Sequence, residues 1–279
     1  MDSSDKRFAV LIDADNVSDK YIKIILDELA DEGQVTYKRI YGDWTKTTLG
    51  PWKKVLLDYS LMPIQQYSYT SGKNATDSAM IIDAMDILYT GNVDGFCLVT
   101  SDSDFTRLAS RLRESGMMVV GMGEQKTPKA FTSACNKFKY LDILAKNEES
   151  SKEEARKPAA RSGRSTRSTR TTRPAVEKPK PDPKEEIAEE EETITPLKAI
   201  TQTLINILRE DSDEDGWVST SDLGNKLLKR YSDFDVRNYG FSKLTPFLKS
   251  LKGFEMKSVR TANSQVKQVY LREEQQNKD

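Results

Sequence analysis

From residue 8 to about 145, apolar runs alternate with segments of helical periodicity. "FAVLID" is a continuous apolar run of strand length, and "SDKYIKIILDELADEG" repeats its apolar positions with helical spacing. Ser18 stands where that helix should be capped, and Gly33 where it should stop. "VTYKRIY" reads as a second strand, "GPWKKVLLDYS" as a helix with Pro51 in its first turn, and "MPIQQYSY" as a third strand. "TDSAMIIDAMDILYTG" is a helix ending at Gly91. "GFCLVT", "DFTRLASRLRESG" and "MMVVGMG" continue as strand, helix and strand. "TPKAFTSACNKF" and "YLDILAK" read as closing helices. Strand–helix alternation of this kind predicts an α/β fold, a parallel sheet flanked by helices on both faces.

The pattern stops near residue 147. The stretch to residue 193 is rich in Arg, Ser, Thr, Pro and Glu and has almost no large apolar side chains. Such a composition cannot offset the entropy of ordering, so it reads as a disordered linker. Within it, Arg161, Arg164, Arg167, Arg170 and Arg173 recur every third residue, and an acidic block from Glu185 to Glu192 follows. Order returns at 194. "TPLKAITQTLINILRED" is an amphipathic helix, with Thr195 as expected cap and Pro196 at its first position. "GWVSTSDLGNKLLKRY" begins as a strand and continues as a helix capped at Ser219 or Ser221. "GFSKLTPFLKSLKG" is a third helical pattern, interrupted by Pro246. "FEMKSVRTANSQVKQVYLRE" alternates like two strands about a polar turn. Three helices and a hairpin are the order of a winged helix-turn-helix, with Trp217, Phe247 and Leu251 expected in its core. The expected boundaries are 1–146, 147–193 and 194–273, with a tail at 274–279.

Composition narrows the chemistry. The chain has no histidine, which removes histidine-based triads, histidine general bases and histidine-ligated zinc. Carboxylates, lysines and hydroxyls are left, and carboxylates favour hard cations such as Mg²⁺ or Mn²⁺. Cys97 and Cys135 lack metal or redox spacing and read as small buried hydrophobes in a reducing compartment. With neither a signal peptide nor a long apolar run, a cytoplasmic location without membrane contact is expected. The formal net charge of −1 excludes no partner, because opposite local charges can sum to it.

In an open parallel sheet, sites form beyond the carboxyl ends of the strands, where strand order reverses. "LIDADN" places Asp13 and Asp15 there, and "VTSDSDF" places Asp102 and Asp104 there. "NATDSAM" puts Asp77 in the first turn of a helix at the same rim. Each acid alone has an ordinary role open to it: a turn for Asp15, dipole compensation for Asp77, a helix cap for Asp102. Together they form a repelling cluster that a cation would offset. Asn16, Lys73, Asn74, Thr100 and Ser101 stand near enough in sequence to bind substrate, and Lys126 and Lys129 are placed to meet a phosphate backbone. Asp83 and Asp86 fall away from the helical face of Asp77 and stay outside the site.

"VLIDADNV", "YGDW", "GKNATDSAMIIDAMD", "LVTSDSDFTRLASRLRESG" and "KTPKAFTSACNKFKYL" resemble the NYN domain, a PIN-like nuclease fold of the LabA/DUF88 type, across nearly all of residues 7–145. "GWVSTSDLGNKLLKRY" with "YGFSKLTPFLKSL" resembles the LOTUS (OST-HTH) domain across about 194–273. The first resemblance implies a metal-dependent endoribonuclease using Mg²⁺ or Mn²⁺, with metal-binding acids at Asp13, Asp77 and Asp102 and with Asp104 close by. Asn16 matches the asparagine that follows the first strand in that family, and Asp15 has a less certain place. The second resemblance implies a module that binds RNA or a protein partner. The five linker arginines, Arg161 to Arg173, would add mobile phosphate contacts. Two rivals remain. One is a non-catalytic RNA-binding regulator. The other is a phosphatase of the haloacid-dehalogenase type, since "DADNV" also fits that family's nucleophile motif.

Overall fold

A computed structural model describes residues 6–67, 75–156, 194–212, 216–260 and 267–274. Strand β1 (Arg7–Asp13) leads through a 3₁₀ turn into helix α1 (Ile22–Ala30). Next come β2 (Gln34–Gly42), α2 (Gly50–Val55), β3 (Met62–Gln65), α3 (Ala75–Thr90), β4 (Gly95–Val99), α4 (Thr106–Glu114) and β5 (Met118–Gly123). Helix α5 (Lys129–Ala134), β6 (Lys137–Tyr140) and α6 (Leu141–Arg156) complete the first domain. Among the described residues its sheet runs β3-β2-β1-β4-β5-β6, with every neighbouring pair parallel.

The strand-by-strand expectation is met with one correction. "KFKY" is the edge strand β6, not the end of a helix. Helix α5 stops at Ala134, and Cys135 is already extended. Asn136 then accepts the Val119 amide at 2.8 Å and seats the new strand beside β5. Helix α6 continues through Arg156, ten residues beyond the expected end of the domain at Lys146.

The strands β1, β4 and β5 are buried on both faces, which is why they read as continuous apolar runs. Successive side chains on a strand point to opposite faces. Phe8, Val10 and Ile12 therefore pack with α1, α2 and α6, while Ala9 and Leu11 pack with α3, α4 and α5. On β4, Cys97 and Val99 take the first face, and Phe96 and Leu98 the second. Burial pushes the Cys97 thiol up and the Cys135 thiol up to about 12, so both behave as packing groups.

The second domain has helix α7 (Leu197–Asp211), strand β7 (Val218–Ser219), α8 (Thr220–Arg230), α9 (Leu244–Ser250) and the hairpin β8 (Phe254–Arg260) and β9 (Lys267–Glu273). Ser219 caps α8 by accepting the Asp222 amide at 3.1 Å. Pro246 fits inside α9 because first-turn amides have no helical acceptor to lose. Thr195 is not the cap of α7. Its hydroxyl and amide donate instead to the buried carboxylate of Asp233, at 2.7 and 2.8 Å. Phe247 and Leu251 lie in the core as expected, but Trp217 does not join that cluster. It is half-buried, with Lys257 Nζ 4.2 Å and the Arg272 guanidinium 4.6 Å from its ring centre. The indole exchanges core packing for cation–π contact on the sheet surface. The turn "TANSQ" and the arginine ladder lie outside the described residues.

The two domains meet along β6. The Phe138 amide on this edge strand donates to the Ser232 carbonyl at 2.7 Å, and the Ser232 hydroxyl donates to the Thr132 carbonyl at 2.8 Å. Arg237 grips Glu28 of α1 with two nitrogens, at 2.5 and 2.9 Å, while Lys139 of β6 donates to the same carboxylate at 2.8 Å. Burial alone would raise the Glu28 carboxyl. The hydrogen bonds from Arg237 and Lys139 overcome it and hold the group at about 2. The depressed value means that this contribution is fully present above the ordinary carboxylate range and is lost progressively as pH falls from there to about 2. Replacing Arg237 by Ala leaves Glu28 half-buried with one cation. We expect both domains to stay folded while small-angle scattering reports a larger radius and hydrogen exchange at Phe138 accelerates. Unchanged scattering and exchange would show that Arg237 does not hold the domains together.

Candidate functional site

Strand order reverses between β1 and β4, and the acids gather at the carboxyl ends of these two strands. The strand period explains how. Asp13 follows Ala9 and Leu11 onto the face covered by α3, and Thr100 follows Phe96 and Leu98 onto the same face. Ile12 pairs with Val99, so Asp13 and Thr100 leave the sheet side by side. The Thr100 hydroxyl donates to Asp13 Oδ2 at 3.0 Å, and Asn16 Nδ2 donates to the same oxygen at 2.7 Å. Asp13 Oδ1 accepts the Asp15 amide at 3.1 Å. The side chain is 1% exposed, so its orientation is set from several directions.

Asp102 does two things at once. Its Oδ1 accepts the Asp104 amide at 2.9 Å, capping the 3₁₀ turn Ser103–Phe105 that leads into α4. Its own amide donates to Thr100 Oγ1 at 3.1 Å. The cap locks the carboxylate against the start of the turn. Carboxylate oxygens of Asp77, Asp102 and Asp104 then lie within 4.8 Å of one another, with Asp77 and Asp102 half-buried and Asp104 exposed. Asp77 comes from the first turn of α3, where an acid also complements the helix dipole.

The electrostatics match the geometry. Asp77 is pushed up to about 6, first by burial and then by the charges of Asp13, Asp102, Asp104 and Asp15. Burial also raises the Asp13 carboxyl, against the pull of its hydrogen bonds to Asn16, Thr100 and Asp15. This region carries more negative charge than its solvation readily supports. Its donors are oxygens alone, the chemistry of a hard divalent cation rather than of zinc or copper.

The remaining residues of the sequence reading divide. Asn16 and Thr100 hold Asp13 in place. The Ser101 hydroxyl accepts the Glu124 amide at 2.9 Å and so fixes the neighbouring loop. Asp15 accepts from Thr76 Oγ1 at 3.1 Å and faces Lys46 Nζ at 3.7 Å, which ties it to α3 rather than to the three converging acids. Lys126 pairs with Glu124 at 3.0 Å, and Lys129 is exposed at the start of α5. Lys73 and Asn74 lie outside the described residues. Thr76 and Lys46 were not anticipated. Thr76, next to Asp77 in "NATD", carried the only signal of the two. Asp83 binds Arg39 and the Tyr41 hydroxyl, joining α3 to β2 away from the cluster.

Family models match twice along the chain. The NYN domain model matches residues 7–142, and the OST-HTH/LOTUS domain model matches residues 195–266. The chain carries an NYN domain followed by an OST-HTH/LOTUS domain. The acid rim belongs wholly to the NYN domain. No curated protein matches the chain. A crystal structure of a protein of unknown function from Vibrio parahaemolyticus is similar over 51% of this chain and 96% of its own, at 18% identity and a TM-score of 0.43. No described helix is long and apolar enough to cross a membrane.

Proposed function

We propose that this NYN–LOTUS protein is an endoribonuclease that depends on Mg²⁺ or Mn²⁺. The observation that carries the reading is the convergence of Asp77, Asp102 and Asp104 on an NYN domain, with buried Asp13 beside them. Asp77, Asp102 and Asp104 would hold the cation, and Asp13 adds charge from behind. A divalent cation there supplies activation of water and charge compensation at the scissile phosphate. Asn16 and Thr100 keep Asp13 oriented, and the Asp104 amide keeps Asp102 oriented. Positioning of this kind is what an in-line displacement needs from its protein. Lys126, Lys129 and the arginines at 161, 164, 167, 170 and 173 contribute phosphate contacts. The LOTUS domain adds RNA affinity or engages a protein partner.

Asp13 does not fit the role of a phosphatase nucleophile. It is 1% exposed and one of its oxygens already has two donors. The deciding experiment incubates the full chain with labelled RNA and labelled single-stranded DNA in Mg²⁺, in Mn²⁺ and in EDTA. Internal cleavage of RNA with either cation, abolished by EDTA, is expected. RNA binding with no cleavage under any cation would make the protein a regulator instead.

A further inference from the structure

A cleft lined by none of the rim acids lies between the two domains. Its volume is about 830 Å³. The NYN wall is formed by the end of α4, by α5 and by the first residues of β5 and β6. The LOTUS wall is formed by Thr195 and Pro196, the last turn of α8 and Ser232–Asp233. Five of its lining side chains are cationic: Arg113, Lys129 and Lys137 on one wall, and Lys229 and Arg230 on the other.

The balance of charge is one-sided. Among the described residues Asp233 is the one acid in the lining, and both its oxygens are engaged by Thr195 inside the LOTUS domain. Lys137 is offset by Glu32 at 2.7 Å, and Arg230 loosely by Glu210 at 3.4 Å. Arg113 donates to the carbonyls of Ser133 and Ala134 and so keeps its full charge. Among the described residues neither Lys129 nor Lys229 forms an ion pair, and both are exposed. Unpaired like charges on facing walls repel, so an anion between them relieves the cleft. The charges are spread along two walls rather than focused on one point, which fits a chain of phosphates better than a single one. Leu228, 40% exposed between Asn225 and Lys229, adds an apolar surface against which a base can rest. The cleft starts at the amino ends of β5 and β6, the edge opposite the acids, and runs along α5. Lys129 begins α5, and α5 packs against the turn that carries Asp104.

We propose that this interdomain cleft binds the phosphate backbone of single-stranded RNA and leads it toward the acid rim. The inference rests on the ribonuclease reading for its choice of ligand, and it makes the docked LOTUS domain one wall of the substrate site.

The test uses the full chain in EDTA, so that nothing is cleaved, and fluorescence anisotropy of a fluorescein-labelled oligouridylate. Lys129→Ala/Lys229→Ala removes one exposed cation from each wall. A loss of affinity of about tenfold is expected, with the slope of log affinity against log salt flattened by about 1.4, or about 0.7 per lost phosphate contact. Lys53→Ala/Lys249→Ala removes two exposed lysines that do not line the cleft and should change affinity less than about twofold. Thermal midpoints establish that both variants are folded. The proposal is overturned if the cleft variant binds like wild type, or if the control loses as much. Because the assay reads no cleavage, such a failure leaves the nuclease reading standing. A wild type that never cleaves would leave the cleft result standing.

Discussion

Replacing Asp102 by Asn should cut RNA cleavage by at least about a hundredfold while the protein stays folded, because even groups one step removed from a metal typically cost 10–100-fold. Asn is nearly isosteric, and its amide oxygen can still accept the Asp104 amide that the carboxylate now takes at 2.9 Å. The cap therefore survives, and the negative charge beside Asp77 and Asp104 does not. The measurement is single-turnover cleavage in Mn²⁺ together with a thermal melt. Equal cleavage by the variant and the wild type would remove Asp102 from the site. Lost cleavage with a collapsed melt would report only that the cap was lost, and Asp104→Asn then offers a second route to the same question.

The second large effect is on stability without metal. Asp77 has a folded value of about 6 against an ordinary 3.8. Below the ordinary value both folded and unfolded chains hold the proton. Between the two values the unfolded chain releases it first, so stability falls as pH rises toward about 6 and stays reduced above that. A carboxamide in place of this carboxyl cannot ionise and should escape the loss. In EDTA at about pH 7, Asp77→Asn should melt a few degrees above wild type, on the order of 2–4 °C per kcal/mol recovered. The gap should close as pH falls toward about 4. Mn²⁺, which stabilises the wild type by binding its folded state, should raise the midpoint of Asp77→Asn less. A variant that melts below wild type near neutral pH would contradict the picture of a charge-strained rim.

The acids were legible in the sequence because two simple periods placed them. The alternation that buries Leu11 also carries Asp13 to the α3 face, and the apolar run before "TSDSD" ends where the sheet ends. The same reasoning failed at "KFKY". Four residues that follow directly on a helical pattern give no room for alternation to declare itself. Its polar members are drawn to distant carboxylates. Lys137 reaches Glu32 and Lys139 reaches Glu28, partners more than a hundred residues earlier in the chain. Trp217 misled by its size, since nothing in "GWVST" announces Lys257 and Arg272 beside the ring. The bond between Arg237 and Glu28 spans 209 residues, and each residue alone looks like a solvated surface charge. Local pattern placed each domain's own core, whereas docking between domains left no trace in it.

The hydrogen bond from Phe138 to Ser232 bears on solubility and on how the gene can be cut. An uncovered outer strand is a template for joining sheets edge to edge, and proteins commonly protect such strands. Here the protecting backbone comes from the far end of the polypeptide, beyond the whole 157–193 stretch. A fragment ending after α6 would keep every acid of the rim yet bare the Phe138 amide and strip Arg237 from Glu28. Its tendency would be to pair with copies of itself. The LOTUS domain thus covers part of the open edge of the sheet that it borders.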